Sequence, residues 1–118
     1  MNYNTISEDG MTLLSEALIR NKTLKNLHLN GTNLSPESCN ILAEALSKNK
    51  KLEKLEMSYN NSLRIEGVEK LFNGLKKNKS LETILFCDNL VRKEGAKIFA
   101  EFLKENKFLK NFYIEKNE

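Results

Sequence analysis

The 118-residue chain is 40% hydrophobic and 30% charged, which places it among globular proteins of single-domain size. A formal charge of +3 is too small to hold nucleic acid through net charge, and no apolar run approaches the about 20 residues of a transmembrane helix. Two cysteines are too few for a disulfide framework and, with a polar N-terminus, point to a reducing, cytoplasmic setting.

In chain order, residues 1–6 read as the back half of a repeat, with Asn4 and Ile6 in its Asn and last apolar positions. A helix follows, with Ser7 as N-cap, Asp9 in the first turn and Met11, Leu14 and Leu18 on one face. Asn21-Lys22-Thr23-Leu24 then leads into Leu27-x-Leu29, the alternation of a strand with one buried face. Thr32 and Leu34 close that turn. Ser35 as N-cap and Pro36 at the first helical position open a second helix with Cys39, Leu42, Ala45 and Leu46 inward. Cys39 is expected to be a small core residue.

Asn49-Lys50-Lys51-Leu52 leads to the strand of Leu55 and Met57, followed by Asn60. One extra residue falls within 61–65 and predicts a local bulge. The third helix carries Gly67, Val68, Leu71, Phe72 and Leu75, and Asn78-Lys79-Ser80-Leu81 leads to the strand of Ile84 and Phe86, then Asn89. The fourth helix runs from Gly95 to Leu103, and Asn106-Lys107-Phe108-Leu109 precedes a last strand of Phe112 and Ile114, then Asn117.

Asn-Lys-x-Leu thus recurs at intervals of 28, 29 and 28 residues. A fixed period of this length is the mark of a solenoid, in which no repeat can bury its apolar face alone and neighbours must stack. The chain divides into a partial repeat 1–23, repeats 24–51, 52–80 and 81–108, and a partial repeat 109–118. The Asn after each strand is expected to turn inward and satisfy backbone groups of the turn; Thr32, which can do less, predicts a looser turn.

The pattern L-x-x-L-x-L-x-x-N-x-L, with a full helix per repeat, resembles the ribonuclease-inhibitor-like class of leucine-rich repeats over essentially the whole chain. The resemblance implies an α/β, right-handed leucine-rich-repeat solenoid, a short horseshoe arc with a parallel sheet on the concave face and helices on the convex face. It also implies recognition of another protein, or regulation of a GTPase or of the cytoskeleton, as in the Ran GTPase activator and tropomodulins of that class. Fold alone does not select among these.

The outward strand positions form rows across the concave face: Lys25, Glu53, Glu82 and Lys110; then His28, Glu56, Leu85 and Tyr113; then Asn30, Ser58, Cys87 and Glu115; then Gly31, Tyr59, Asp88 and Lys116. The first row predicts cross-strand ion pairs, which on a surface are worth well under about 1 kcal/mol. The odd residues of the face, His28, Glu56, Tyr59, Leu85, Cys87, Asp88 and Tyr113, are the candidate protein-binding set, because exposed apolar and aromatic side chains are what partners bury. Phe108, Phe112 and Ile114 on the last strand form a candidate self-association edge and a route to a homodimer. The alternative to recognition is therefore an assembly element whose ends join copies or the rest of a longer chain.

No catalytic residues, metal or cofactor are expected. His28, Glu56 and Cys87 would lie on an open surface, and a Cys-His pair needs direct contact in a cleft. The lysines near the helix-to-strand corners are read as dipole-compensating and solubilising, with no nucleic acid and no membrane insertion expected.

Overall fold

Four helices alternate with four three-residue strands in a computed structural model that describes residues 4–117. Met1–Tyr3 and Glu118 lie outside the described residues, and with them the start of the partial repeat read at the N-terminus. The order is α1 (Glu8–Arg20), β1 (Asn26–His28), α2 (Pro36–Lys48), β2 (Lys54–Glu56), α3 (Arg64–Leu75), β3 (Thr83–Leu85), α4 (Arg92–Glu105) and β4 (Asn111–Tyr113). The strands form one parallel sheet in sequence order, the leucine-rich-repeat solenoid that the period implies.

Helix entry is local chemistry in the first half of the chain. Ser7 Oγ accepts the Gly10 N–H and Ser35 Oγ accepts the Ser38 N–H, each at 3.1 Å. In α3 and α4 the same place is taken by Leu63 and Val91, which do not cap and are buried instead. The extra residue of the second repeat is absorbed by a turn at Asn61 and Ser62 that delivers Leu63 into the core.

The core is one layer between sheet and helices. Leu27, Leu55 and Ile84 face inward from the strands, and Leu42, Leu46, Leu71 and Phe72 from the helices. At the C-terminal end the filling is aromatic: Phe72 meets Phe86, Phe99 and Phe102 with ring centroids at 5.4, 5.1 and 5.1 Å in edge-to-face geometry. Cys39 is fully buried, and burial, which outweighs the opposing charge of Lys70, pushes its thiol up to about 12.

Two asparagine ladders tie the repeats together. Asn60, Asn89 and Asn117 each accept, through Oδ1, the N–H of the matching residue one repeat back (Thr32, Asn60 and Asn89) at 3.0, 2.6 and 2.7 Å. Their amide groups donate back to the carbonyls of Leu29, Met57 and Phe86. The looser turn expected at Thr32 does not form. Thr32 is fully buried, its hydroxyl donates to the Leu29 carbonyl at 2.9 Å, and Asn60 supplies the rest from the next repeat. The second ladder is the Asn of Asn-Lys-x-Leu. Asn21, Asn49, Asn78 and Asn106 each accept the N–H groups two and three residues on, which turns the chain from helix to strand. Asn49 and Asn78 also donate to the Leu18 and Leu46 carbonyls of the preceding helix, both at 2.8 Å.

Candidate functional site: the strand face

The register brings the candidate row together as read. His28, Glu56, Leu85 and Tyr113 are cross-strand neighbours, one on each strand. Their environments differ. His28 and Tyr113 are exposed, Leu85 is half-buried, and the Glu56 side chain is only 13% exposed.

Glu56 is the polar centre of the face. Its Oε1 lies 2.9 Å from Lys54 Nζ and 3.4 Å from His28 Nε2, and its Oε2 accepts a hydrogen bond from Asn30 Nδ2 at 2.8 Å. Burial pushes the carboxyl upward. The hydrogen bonds from Lys54 and Asn30 and the charges of His28 and Lys54 outweigh that and hold it below the ordinary carboxylate range. The bonding continues sideways: Asn30 Oδ1 accepts the Ser58 N–H at 2.7 Å, and Ser58 Oγ accepts the Cys87 N–H at 3.0 Å. Ser58, read as an outward position, is buried for this reason. Cys87 is half-buried at the end of the chain of bonds and is separated from His28 by the strand that carries Glu56.

The row of Gly31, Tyr59, Asp88 and Lys116 has a property that the sequence pattern did not disclose. All four have positive φ, 62°, 61°, 57° and 59°, because each turn out of the sheet passes through the left-handed region. Glycine adopts this freely and Asp tolerates it; a Tyr or Lys is strained there by about 1–2 kcal/mol. The signal was present in one copy, Gly31, immediately before Thr32 as Tyr59 is before Asn60. Tyr59 is half-exposed at this position, and its N–H donates to the Cys87 carbonyl at 3.0 Å, so Tyr59, Ser58 and Cys87 form one corner of the face.

The ion pairs expected in the first row are present: Lys25–Glu53 at 3.5 Å and Lys110–Glu82 at 3.4 Å, all well exposed and so of little energetic weight. At the C-terminal edge, the Phe112 ring turns inward, 5.8 Å from Phe72 and 5.3 Å from Phe99. The exposed apolar side chains of that edge are Phe108, Tyr113 and Ile114. Among the described residues no three His, Cys, Asp or Glu side chains are grouped as a metal would need, and no helix is long and apolar enough to cross a membrane.

This is a leucine-rich-repeat solenoid with an open, hydrogen-bonded strand face. No protein-family model matches the chain. No curated protein matches it. Among solved structures it is similar to Leiomodin-1 Actin-Binding Site 2 (ABS2), with a TM-score of 0.85 and 24% identity over 97% of this chain and 68% of that one. It is also similar to a chain of the Rad7 and Elc1 complex in yeast, with a TM-score of 0.55 and 14% identity over 94% of this chain and 29% of that one. At such identities the likeness establishes the fold. One of these neighbours is described by the actin it binds and the other as part of a protein complex.

Proposed function

We propose that the chain is a non-catalytic protein-interaction module that binds its partner on the strand face, around Tyr59, Leu85, Asp88 and Tyr113. One observation carries this reading: a half-exposed tyrosine stands in a left-handed backbone position that the matching turn fills with Gly31. The turn imposes this backbone in every repeat, so what supports a binding role is the side chain placed there: a large aromatic, half-exposed, where glycine would be unstrained. The surrounding network through Glu56, Asn30 and Ser58 fixes the side chains beforehand, which lowers the entropy cost of association.

The full helix in each repeat supports the ribonuclease-inhibitor-like subtype. Two free cysteines fit a reducing, cytoplasmic setting. The extent of the likeness to an actin-binding site makes actin the first partner to try, and a cytoskeletal role the first specific form of the proposal.

The test is co-sedimentation with filamentous actin and, in parallel, affinity capture from a lysate, each with wild type and with Tyr59→Ala and Leu85→Asp. A partner captured by wild type and weakened by both changes supports the strand face. A partner retained equally by all three excludes it. Concentration-dependent mass in light scattering, removed by Phe108→Ser and Ile114→Ser, would instead favour assembly through the last strand.

A further inference from the structure

We propose that the helix-to-strand corner carries a second docking surface, a lysine track that takes an acidic, Asp/Glu-rich segment of a partner protein; this rests on the reading of the chain as an interaction module. The motif lysine of every repeat, Lys22, Lys50, Lys79 and Lys107, is exposed. Each copy leads into one of four parallel strands that are hydrogen-bonded neighbours in sequence order, and such strands lie roughly 4.8 Å apart. Three of them open on a hollow of about 340 Å³ together with Lys25 and Lys51. Its acidic lining residues, Glu53 and Glu82, are already paired with Lys25 and Lys110. Lys22, Lys50, Lys51 and Lys79 have no ion pair among the described residues. A second hollow of about 450 Å³, on the helix side, shares Lys50 and Lys79 and adds Lys77. The chain's small net charge therefore conceals a local excess of positive charge.

Dipole compensation does not account for this track. Arg20, Lys48 and Lys104 already stand in the last turns of α1, α2 and α4. The dipole effect fades within that last turn. Lys22, Lys50 and Lys107 lie beyond the capping Asn21, Asn49 and Asn106, and Lys79 lies three residues beyond Lys76, the C-cap of α3, whose own last turn carries no basic residue.

The corner also tells against phosphate. Compact phosphate sites draw on free backbone N–H groups. Here the N–H groups of Thr23, Leu24, Lys51, Leu52, Ser80 and Leu81 are already given to Asn21, Asn49 and Asn78. Nucleic-acid strands would need stacking platforms, and of the motif's variable residues only Phe108 is aromatic. Spaced carboxylates on a flexible chain need neither.

The probe is a fluorescein-labelled peptide of ten glutamates, followed by anisotropy against the whole chain. We expect saturable binding that weakens as salt rises from about 50 to about 200 mM. Lys22→Gln, Lys50→Gln and Lys79→Gln together should lower affinity about tenfold, as three exposed pairs would, with an unchanged melting temperature. The matching Lys→Arg triple variant should restore it, and Tyr59→Ala should leave it unaltered. No binding by wild type, or equal binding by the Gln variant, overturns the track. Tighter binding of duplex DNA or of phosphatidylserine vesicles at equal charge also overturns it. Loss of the peptide in Tyr59→Ala but not in the lysine variant would move the peptide to the strand face, removing the track and leaving the interaction module intact.

Discussion

Asn60 closes the turn of the repeat before its own: the Thr32 N–H donates to Asn60 Oδ1 at 3.0 Å, and Asn60 Nδ2 donates to the Leu29 carbonyl at 2.9 Å. Both backbone partners are buried. Asn60→Ala orphans the Thr32 N–H and weakens the bonding of the Leu29 carbonyl, and buried unsatisfied groups cost about 1–3 kcal/mol each. We expect a loss of about 2–4 kcal/mol, read as a lower urea midpoint at unchanged slope. Thr32→Ala removes one hydroxyl bond to the same carbonyl and should cost only about 1 kcal/mol.

Gly74 of α3 lies directly against Ala43 of α2. A Cβ there would stand 2.5 Å from Ala43 Cβ and 2.7 Å from the Ala43 carbonyl oxygen. Alanine is otherwise better than glycine in a helix by about 1 kcal/mol. Overpacking against backbone should win, so Gly74→Ala is expected to destabilise by about 1–3 kcal/mol in chemical denaturation. Adding Ala43→Gly removes the contact with Cβ but not with the carbonyl, so only part of the loss should return.

Tyr59→Gly separates binding from folding. Removing a structural aromatic costs about 3–5 kcal/mol. At Tyr59 the released left-handed strain, about 1–2 kcal/mol, works against the lost packing and the added chain entropy. We expect stability within about 1 kcal/mol of wild type by thermal melting, alongside loss of partner capture. A collapse of stability would make Tyr59 a structural residue.

Glu56 gives the face an acid dependence. Its folded value lies below the ordinary 4.5, so the stability it contributes is fully present above the unfolded value and is lost as pH falls through the folded one. Glu56→Gln has no such titration. Denaturant midpoints measured from about pH 6 down to about pH 3 should fall more steeply in wild type than in the variant, with the difference confined to pH values below about 4.5. Parallel curves would show that the contacts with Lys54, Asn30 and His28 do not bias the carboxylate.

The two thiols should be distinguishable without denaturant. Burial keeps Cys39 protonated, with its thiol pushed up to about 12, whereas Cys87 is half-buried on the face. Thiolate is the reactive form. Titration with a chromogenic disulfide at neutral pH is expected to report one thiol in the folded chain and the second only on unfolding, and Cys87→Ser should abolish the first.

Much of the strand face was readable because its geometry follows from a period of two laid on a period of 28 or 29 residues. That arithmetic alone aligned His28, Glu56, Leu85 and Tyr113 and paired Lys25 with Glu53. It could not tell that Ser58 is withdrawn while Tyr59 beside it is presented. That difference goes with the bonds of Ser58 to Asn30 and Cys87, in the turns that follow the neighbouring strands β1 and β3. The pattern put Phe112 in the inward position of Leu27, Leu55 and Ile84, but it could not show that its ring closes against Phe72 and Phe99 and so leaves the candidate edge to Phe108 and Ile114.

What the sequence by itself determined is the architecture: repeated leucines at strand and helix spacing can be buried only by stacking copies, so the solenoid and its register follow from pattern and the hydrophobic effect. What only the tertiary structure decided is which surface groups remain available. Asn60 was legible as an inward residue, but the turn it secures belongs to another repeat. Tyr59 was legible as an outward residue, but its left-handed backbone is imposed by a turn bonded across strands. Hydrogen-bond satisfaction is settled between repeats, and no single repeat contains that information.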